Sequence, residues 1–298
     1  MSLPDQSAPE DFERFWRETA DEAKSEPLDF HRSSAPEFST ESHAVERIEF
    51  RGMHGAALHG WLAYPPGARR LPAFLWAPPY GRDSRLPDEY GTRPGFTSLS
   101  FNHFGLDSFH QEEYTPARGY FAEGADDPGT WVFRRMFQNA LIALRVLQAQ
   151  LEVDESRCAS MGLSQGGGMS IWLGAWCPIV RCVCADLPFL GAMQATLSKP
   201  VHRYPLKELT DFAGSIPLGM PRVLHTVSYF DTLHHAAHCS VPTQVALGTM
   251  DPATRPHVAE AIFDALPGKK RLQRYEAGHD WFPAMIPSNL VWLLENLK

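Results

Sequence analysis

Ser164 stands in the stretch GLSQGGGMS (162–170), with Gly162 and Gly166 two positions away on either side and Gly167 and Gly168 following. A serine hydroxyl is a weak nucleophile at neutral pH and attacks a carbonyl only when a base takes its proton. The spacing G-x-S-x-G suits a sharp turn between a strand and a helix, where the serine is strained and the flanking positions leave no room for side chains. So short a pattern also arises by chance, and its context decides. Here RCASMGL, read as a buried strand, runs into it and the apolar helical stretch GGGMSIWLGAW leaves it. Such a turn lifts Oγ above the C-terminal edge of a sheet and aims the backbone N–H of Gln165 at a neighbouring oxygen. A phosphate-binding loop does not fit, because G-x-x-x-x-G-K-[ST] is absent and the segment has no lysine.

In a hydrolase built around this turn the partners follow in the order Ser, acid, His, each on a loop after a later strand. Two histidines satisfy that order: His257, near a helix start after Pro256, and His279, immediately beyond LQRYEAG. His279 is the candidate base. Asp251 ends VALGTMD, is followed by Pro252, and is the candidate acid. Asp280 adjoins the histidine, where side chains diverge; Asp264 falls inside a helix; Asp186 and Asp231 read as structural acids. A second oxyanion donor is expected in APPYGR (77–82) from the N–H of Tyr80 or Gly81, since Pro78 and Pro79 have none. His225, His234, His235 and His238 raise a metal reading, but no H-E-x-x-H and no acid pair accompanies them, and they read as packing or pocket-lining residues. Arg134 and Arg135 read as loop anchors.

The elements that must position these groups follow from periodicity. EDFERFWRETADEA predicts an amphipathic helix and HRSSAPEFSTES a connecting loop; VERIEFRGMHGAALHGWLAY (45–64) predicts a hairpin. Strands are expected at 71–81 and 96–105, and an amphipathic helix at 131–151, capped by Thr130 with Asp126 and Asp127 near its positive end. Strands at 157–164, 180–190, 243–251 and 270–280 follow, with helices after Ser164, near 256–266 and at 289–297. The stretch 191–240 has helical signals and no strand. This alternation predicts one α/β domain over 1–298: a mostly parallel sheet with helices on both faces, an N-terminal helix and arm (1–44), and a cap-like insertion at about 191–240.

Composition narrows the function class. The net charge is −8 and the longest basic cluster is GKKR, so nucleic acid is not an expected partner. No apolar run is long enough to span a bilayer, and the first residues lack a secretory pattern, which makes a cytoplasmic location the expectation. Five cysteines at unpatterned spacings suit reduced, buried thiols better than a disulfide framework or a metal knuckle.

Taken together, PEDFERFW, WVFRRMFQNALIAL, GLSQGGGMS, ADLPFL, SYFDTLHHAAH, ALGTMDP and the closing AGHD resemble the acetyl xylan esterase and cephalosporin-C deacetylase family, carbohydrate esterase family seven, over most of the chain. The resemblance implies an α/β-hydrolase fold and removal of small acyl groups, chiefly acetyl, from sugars and related alcohols without metal or cofactor. It implies Ser164 as nucleophile, Asp251 as acid, His279 as base, the Tyr80 and Gln165 main chains as oxyanion donors, and Tyr80 and Pro188 as walls of a small acyl pocket. It also implies a homo-oligomer, since family members form ring-like hexamers. Two signatures differ: NHFGLDSF (102–109) stands where the family carries Arg-Gly-Gln, and Asp280 follows the histidine where a glutamate is usual.

Overall fold

A computed structural model describes residues 7–113, 115 and 119–298. Its strands are β1 (Phe30–Ser34), β2 (Ala44–Arg51), β3 (Ala57–Tyr64), β4 (Leu71–Ala77), β5 (Thr97–Asn102), β6 (Val153–Leu163), β7 (Val180–Asp186), β8 (Thr243–Gly248) and β9 (Lys270–Tyr275). They form one sheet in the order β1-β2-β3-β5-β4-β6-β7-β8-β9, antiparallel from β1 to β5 and parallel from β5 to β9. Helices α1 (Phe12–Ser25), α2 (Val132–Gln148), α3 (Gln165–Trp176) and α8 (Pro256–Ala265) put their apolar residues into one large core on one face, and α9 (Met285–Asn296) packs on the other. The alternation along β4 serves both: Ala73, Leu75 and Ala77 face the first core, while Phe74 and Trp76 meet Trp292 and Leu293 of α9. The stretch after β7 holds α4 (Met193–Leu197), α5 (Leu206–Ser215), α6 (Gly219–Tyr229) and α7 (Thr232–His238), the strandless insertion expected from the sequence.

Several boundaries differ from the sequence reading. The stretch read as a loop contains β1, a polar edge strand of alternating exposure that no apolar pattern announces. Arg32 holds it in place, donating to Glu46 (2.6 Å) on β2 and to both carboxylate oxygens of Glu152 (2.9 and 3.0 Å). The strands expected to 81, 105, 190, 251 and 280 end at 77, 102, 186, 248 and 275, because the apolar residues beyond them line loops rather than a ladder. Thr130 does not cap α2: its hydroxyl donates to the carbonyls of Gly124 and Asp127, and the helix starts at Val132. Asp126 pairs with Arg222 of α6 (2.8 Å). Leu151, counted in the apolar stripe, lies beyond the helix and is 84% exposed. Arg134 anchors a helix rather than a loop, bonding Thr19 and Glu22 of α1 (3.2 and 2.8 Å). α9 begins four residues early and accommodates Pro287 in its first turn, where a backbone N–H would lack an intrahelical partner.

From β4 the chain crosses to β5 on one side, and through α2 to β6 on the other. The loops after β4 and β6 therefore leave in opposite directions and open a crevice at the C-terminal edge of the sheet, where open α/β sheets bind ligands.

Candidate active site

Ser164 occupies that crevice at the junction of β6 and α3, with φ 56° and ψ −116°. A non-glycine residue pays roughly 1–3 kcal/mol for such a conformation, and it persists where surrounding contacts over-determine it. Those contacts are present: Ser164 N–H donates to Asp186 O (2.8 Å), and Ser164 O accepts from Gly168 N (3.1 Å) and Phe189 N (3.0 Å). Backbone proximity dictates two of the glycines, since a Cβ on Gly162 would strike the carbonyl carbon of Gly166, and one on Gly166 would strike the carbonyl oxygen of Ala77.

His279, on the loop after β9, places Nε2 2.7 Å from Ser164 Oγ and Nδ1 2.7 Å from Oδ2 of Asp251, on the loop after β8. The other carboxylate oxygen of Asp251 accepts from Ala253 N (2.7 Å) and Thr254 N (2.9 Å), and the side chain is wholly buried. An ionised carboxylate only accepts, so the hydrogen bond to Nδ1 puts the imidazole proton there and leaves the Nε2 lone pair facing the serine hydroxyl. The other candidates lie elsewhere. His257 is in the first turn of α8 at the rim, Asp280 accepts from Trp281 N (2.7 Å), and Asp264 falls in α8. Asp231 caps α7 through Leu233 N and also accepts from Ala192 N and Met193 N, while Asp186 accepts from Asn289 (2.7 Å).

On the oxyanion side, Gln165 is the first residue of α3, where backbone N–H groups have no intrahelical acceptor. In the loop after β4, Gly81 N–H donates to the Tyr120 hydroxyl (3.2 Å). The same Tyr120 hydroxyl donates to Gln165 Oε1 (2.8 Å), and Gln165 Nε2 donates to Pro79 O (3.4 Å). One phenol thus ties the loop after β4 to the start of α3. Burial pushes its pKa far up, so it remains a donor. Tyr80 stacks on Tyr120 (4.8 Å between ring centroids) and donates through its hydroxyl to Glu208 of α5 (3.1 Å). Neither Tyr120 nor Glu208 stands in a motif, and their sequence neighbours carry no sign of them.

Ser164, His279 and Tyr80 open into a cavity of about 1230 Å³ whose far wall comes from the insertion, residues 191–206, and from the start of α8. Pro188 is not among its lining residues; its backbone packs against Gly167, and Phe189 is the wall from that segment. The histidines of the insertion also find places: His234, His235 and His238 surround the Phe12 ring of α1 at 5.2–5.7 Å, and His225 meets Tyr229 edge-on (5.3 Å). At the position of the missing Arg-Gly-Gln signature, Asn102 bonds Arg82 O and accepts from Phe104 N (2.9 Å), while Arg82 lies over the rings of Phe104 and Tyr120.

A mostly parallel sheet carrying a serine on a strand–helix elbow, with its acid and histidine on loops after later strands, defines the α/β-hydrolase class. Within that class the chain belongs to the acetyl xylan esterase family, whose model matches residues 3–295, and it is a carboxylic ester hydrolase. The acetyl esterase Axe7A of Xylanibacter ruminicola is 20% identical over 302 residues, covering 97% of this chain and 68% of that protein. Among solved structures, the acetyl xylan esterase from Paenibacillus sp. R4 superposes with a TM-score of 0.87 at 22% identity, covering 99% of this chain and 97% of that one. Acetyl xylan esterase 1 from Thermoanaerobacterium sp. JW/SL YS485 gives 0.81 at 23%, covering 99% and 96%.

Proposed function

We propose that the protein removes acetyl and other small acyl groups from hydroxyl groups of sugars or related small alcohols, through an acyl-enzyme on Ser164. The observation that carries the reading is the continuous relay from Asp251 through His279 to Ser164, 2.7 Å at each step, with the serine opening into a cavity of about 1230 Å³. His279 Nε2 takes the Oγ proton as the serine attacks the acyl carbonyl, and the backbone N–H groups of Gln165 and Tyr80 hold the oxyanion. The imidazolium then protonates the leaving alcohol. Water, deprotonated by the same Nε2, attacks the acyl-serine; the bond from the acyl carbon to Oγ breaks, the imidazolium returns its proton to Ser164 Oγ, and the carboxylic acid departs. Asp251 keeps the Nδ1 tautomer and stabilises the imidazolium. Every proton in the cycle has a holder among the chain's own groups, so the reading calls for no cofactor. Tyr80 and Phe189 line the cavity beside Ser164 and His279.

Ser164→Ala is expected to abolish turnover of 4-nitrophenyl acetate with the circular dichroism spectrum unchanged, and the wild-type rate should fall steeply from acetyl to octanoyl esters. Turnover by the alanine variant, or a preference for octanoyl, would overturn the reading.

A further inference from the structure

Carboxylates outnumber cations 35 to 27 in this chain, yet among the described residues no Asp or Glu lines the cavity; the triad acid lies behind the His279 ring. The lining instead carries Lys199, Arg203 and Arg255, with His202 and His257 beside them. Cations on neighbouring elements are neutralised: Lys207 of α5 pairs with Asp211, Arg222 of α6 with Asp126 and Arg274 of β9 with Glu260 of α8. Lys199, Arg203 and Arg255 make no ion pair or side-chain hydrogen bond with any other described residue. Arg255 further sits at the N-cap of α8, whose backbone dipole adds positive potential to the same mouth. Three cations with no ion-pair partner among the described residues, set around a concave opening, focus a positive field toward the serine, against the negative sign of the molecule.

We infer that the alcohol half of the substrate carries an anionic group, a carboxylate or a phosphate, which Lys199, Arg203 and Arg255 receive at the cavity mouth while the acyl carbonyl meets Ser164. This rests on the esterase reading above and names the class of alcohol it acts on. The small acyl group of the proposed reaction carries no charge, so the anion belongs to the leaving alcohol. Because the three side chains are exposed, their attraction acts through water and is screened over about 8 Å at physiological ionic strength. Its signature is therefore a salt-dependent gain in kcat/KM, carried by KM.

The test uses the full chain and matched acetyl esters: mono-acetylated methyl glucuronoside, the methyl ester of that compound, and acetylated glucose 6-phosphate, with 4-nitrophenyl acetate as an uncharged reference. Expected is a kcat/KM about tenfold higher for the glucuronoside than for its methyl ester at low salt, shrinking toward unity by about 0.5 M NaCl. Arg203→Gln and Arg255→Gln should each reduce that ratio, read within each variant so that a general loss of activity cancels. The phosphate arm tells which anion is preferred, and a gain for either supports the inference. No gain for either the acid or the phosphate over the neutral methyl ester, while 4-nitrophenyl acetate is still hydrolysed, would overturn the inference alone. No hydrolysis of any of these esters would overturn the esterase reading, and the inference with it.

Discussion

At the scale of single residues, Gln165 and Tyr120 join two loops that come from distant parts of the chain. Gln165 opens α3, and its side chain reaches back to Pro79 O and across to the Tyr120 hydroxyl, which also accepts from Gly81 N–H. Tyr120→Phe keeps the ring stack on Tyr80 and removes only the hydroxyl. It leaves Gly81 N–H and Gln165 Oε1 without their partner in a buried place and frees the loop after β4 to shift. The expected result is a kcat for 4-nitrophenyl acetate about tenfold lower with KM little changed, less than the roughly hundredfold or greater loss that follows removal of an oxyanion donor itself. Loss of stability with kcat intact would show that Tyr120 only packs. The candidate residues read from the sequence, Ser164, Asp251, His279, Tyr80 and Gln165, meet at one place because each follows a strand of the sheet at its C-terminal edge. Tyr120 and Glu208 had no such marker, and Pro188 was assigned a place that Phe189, its neighbour, takes.

Among the elements, α1 does more than cover the body. Trp16 is fully buried between Phe137, Trp172, Phe230 and His235, and its indole N–H donates to Tyr229 O (2.6 Å) at the end of α6. Phe12 is held among three histidines of α7, one of which, His235, accepts from the Trp176 indole N–H (3.2 Å). The N-terminal helix therefore braces the insertion that walls the cavity against α2 and α3. Trp16→Ala is expected to cost about 3–5 kcal/mol, because a large cavity opens and a buried carbonyl loses its donor. Thermal unfolding should show a Tm lower by roughly 10 °C, and a loss under about 1 kcal/mol would mean that α1 is an accessory. The helix itself was legible from the spacing of Phe12, Phe15 and Trp16, but the partner of its apolar face was not, because periodicity identifies a buried side without naming what buries it.

For the molecule as a whole, stability should depend on pH through two acids buried beneath the site. Burial pushes Asp186 up to about 7, against the opposing effects of the Asn289 hydrogen bond and the Arg93 charge, and Asp231 up to about 6, against three backbone amides. Both titrate near 4 in the unfolded chain. Between about pH 4 and pH 7 these two acids in the folded protein therefore hold protons that the unfolded chain has released, and their contribution to stability falls as pH rises through that window. Buried histidines act in the opposite sense below about pH 6.5: burial holds His43, His103, His234 and His235 below the ordinary imidazole range, so they stay neutral in the fold where the unfolded chain takes up protons. The acids are therefore read by difference: the gain in urea midpoint of Asp186→Asn over the wild type should be larger at pH 8 than at pH 5. An equal difference at both pH values would contradict this. The five cysteines are free and buried, and no helix among the described residues is long and apolar enough to cross a membrane. What the sequence by itself determined was local and serial: the glycines that let β6, α3 and β4 approach at the elbow, the alternation of strands and helices, and the order of serine, acid and histidine. These depend on contacts within a turn or on a repeating period, which a chain displays directly. The tertiary structure alone decided the polar edge strand β1, the Tyr120 bridge across 45 residues, the Tyr80–Glu208 bond across 128, and the gathering of Lys199, Arg203 and Arg255 at one cavity. Those depend on where loops travel after leaving the sheet, and the paths are set by packing between segments that share no spacing in sequence.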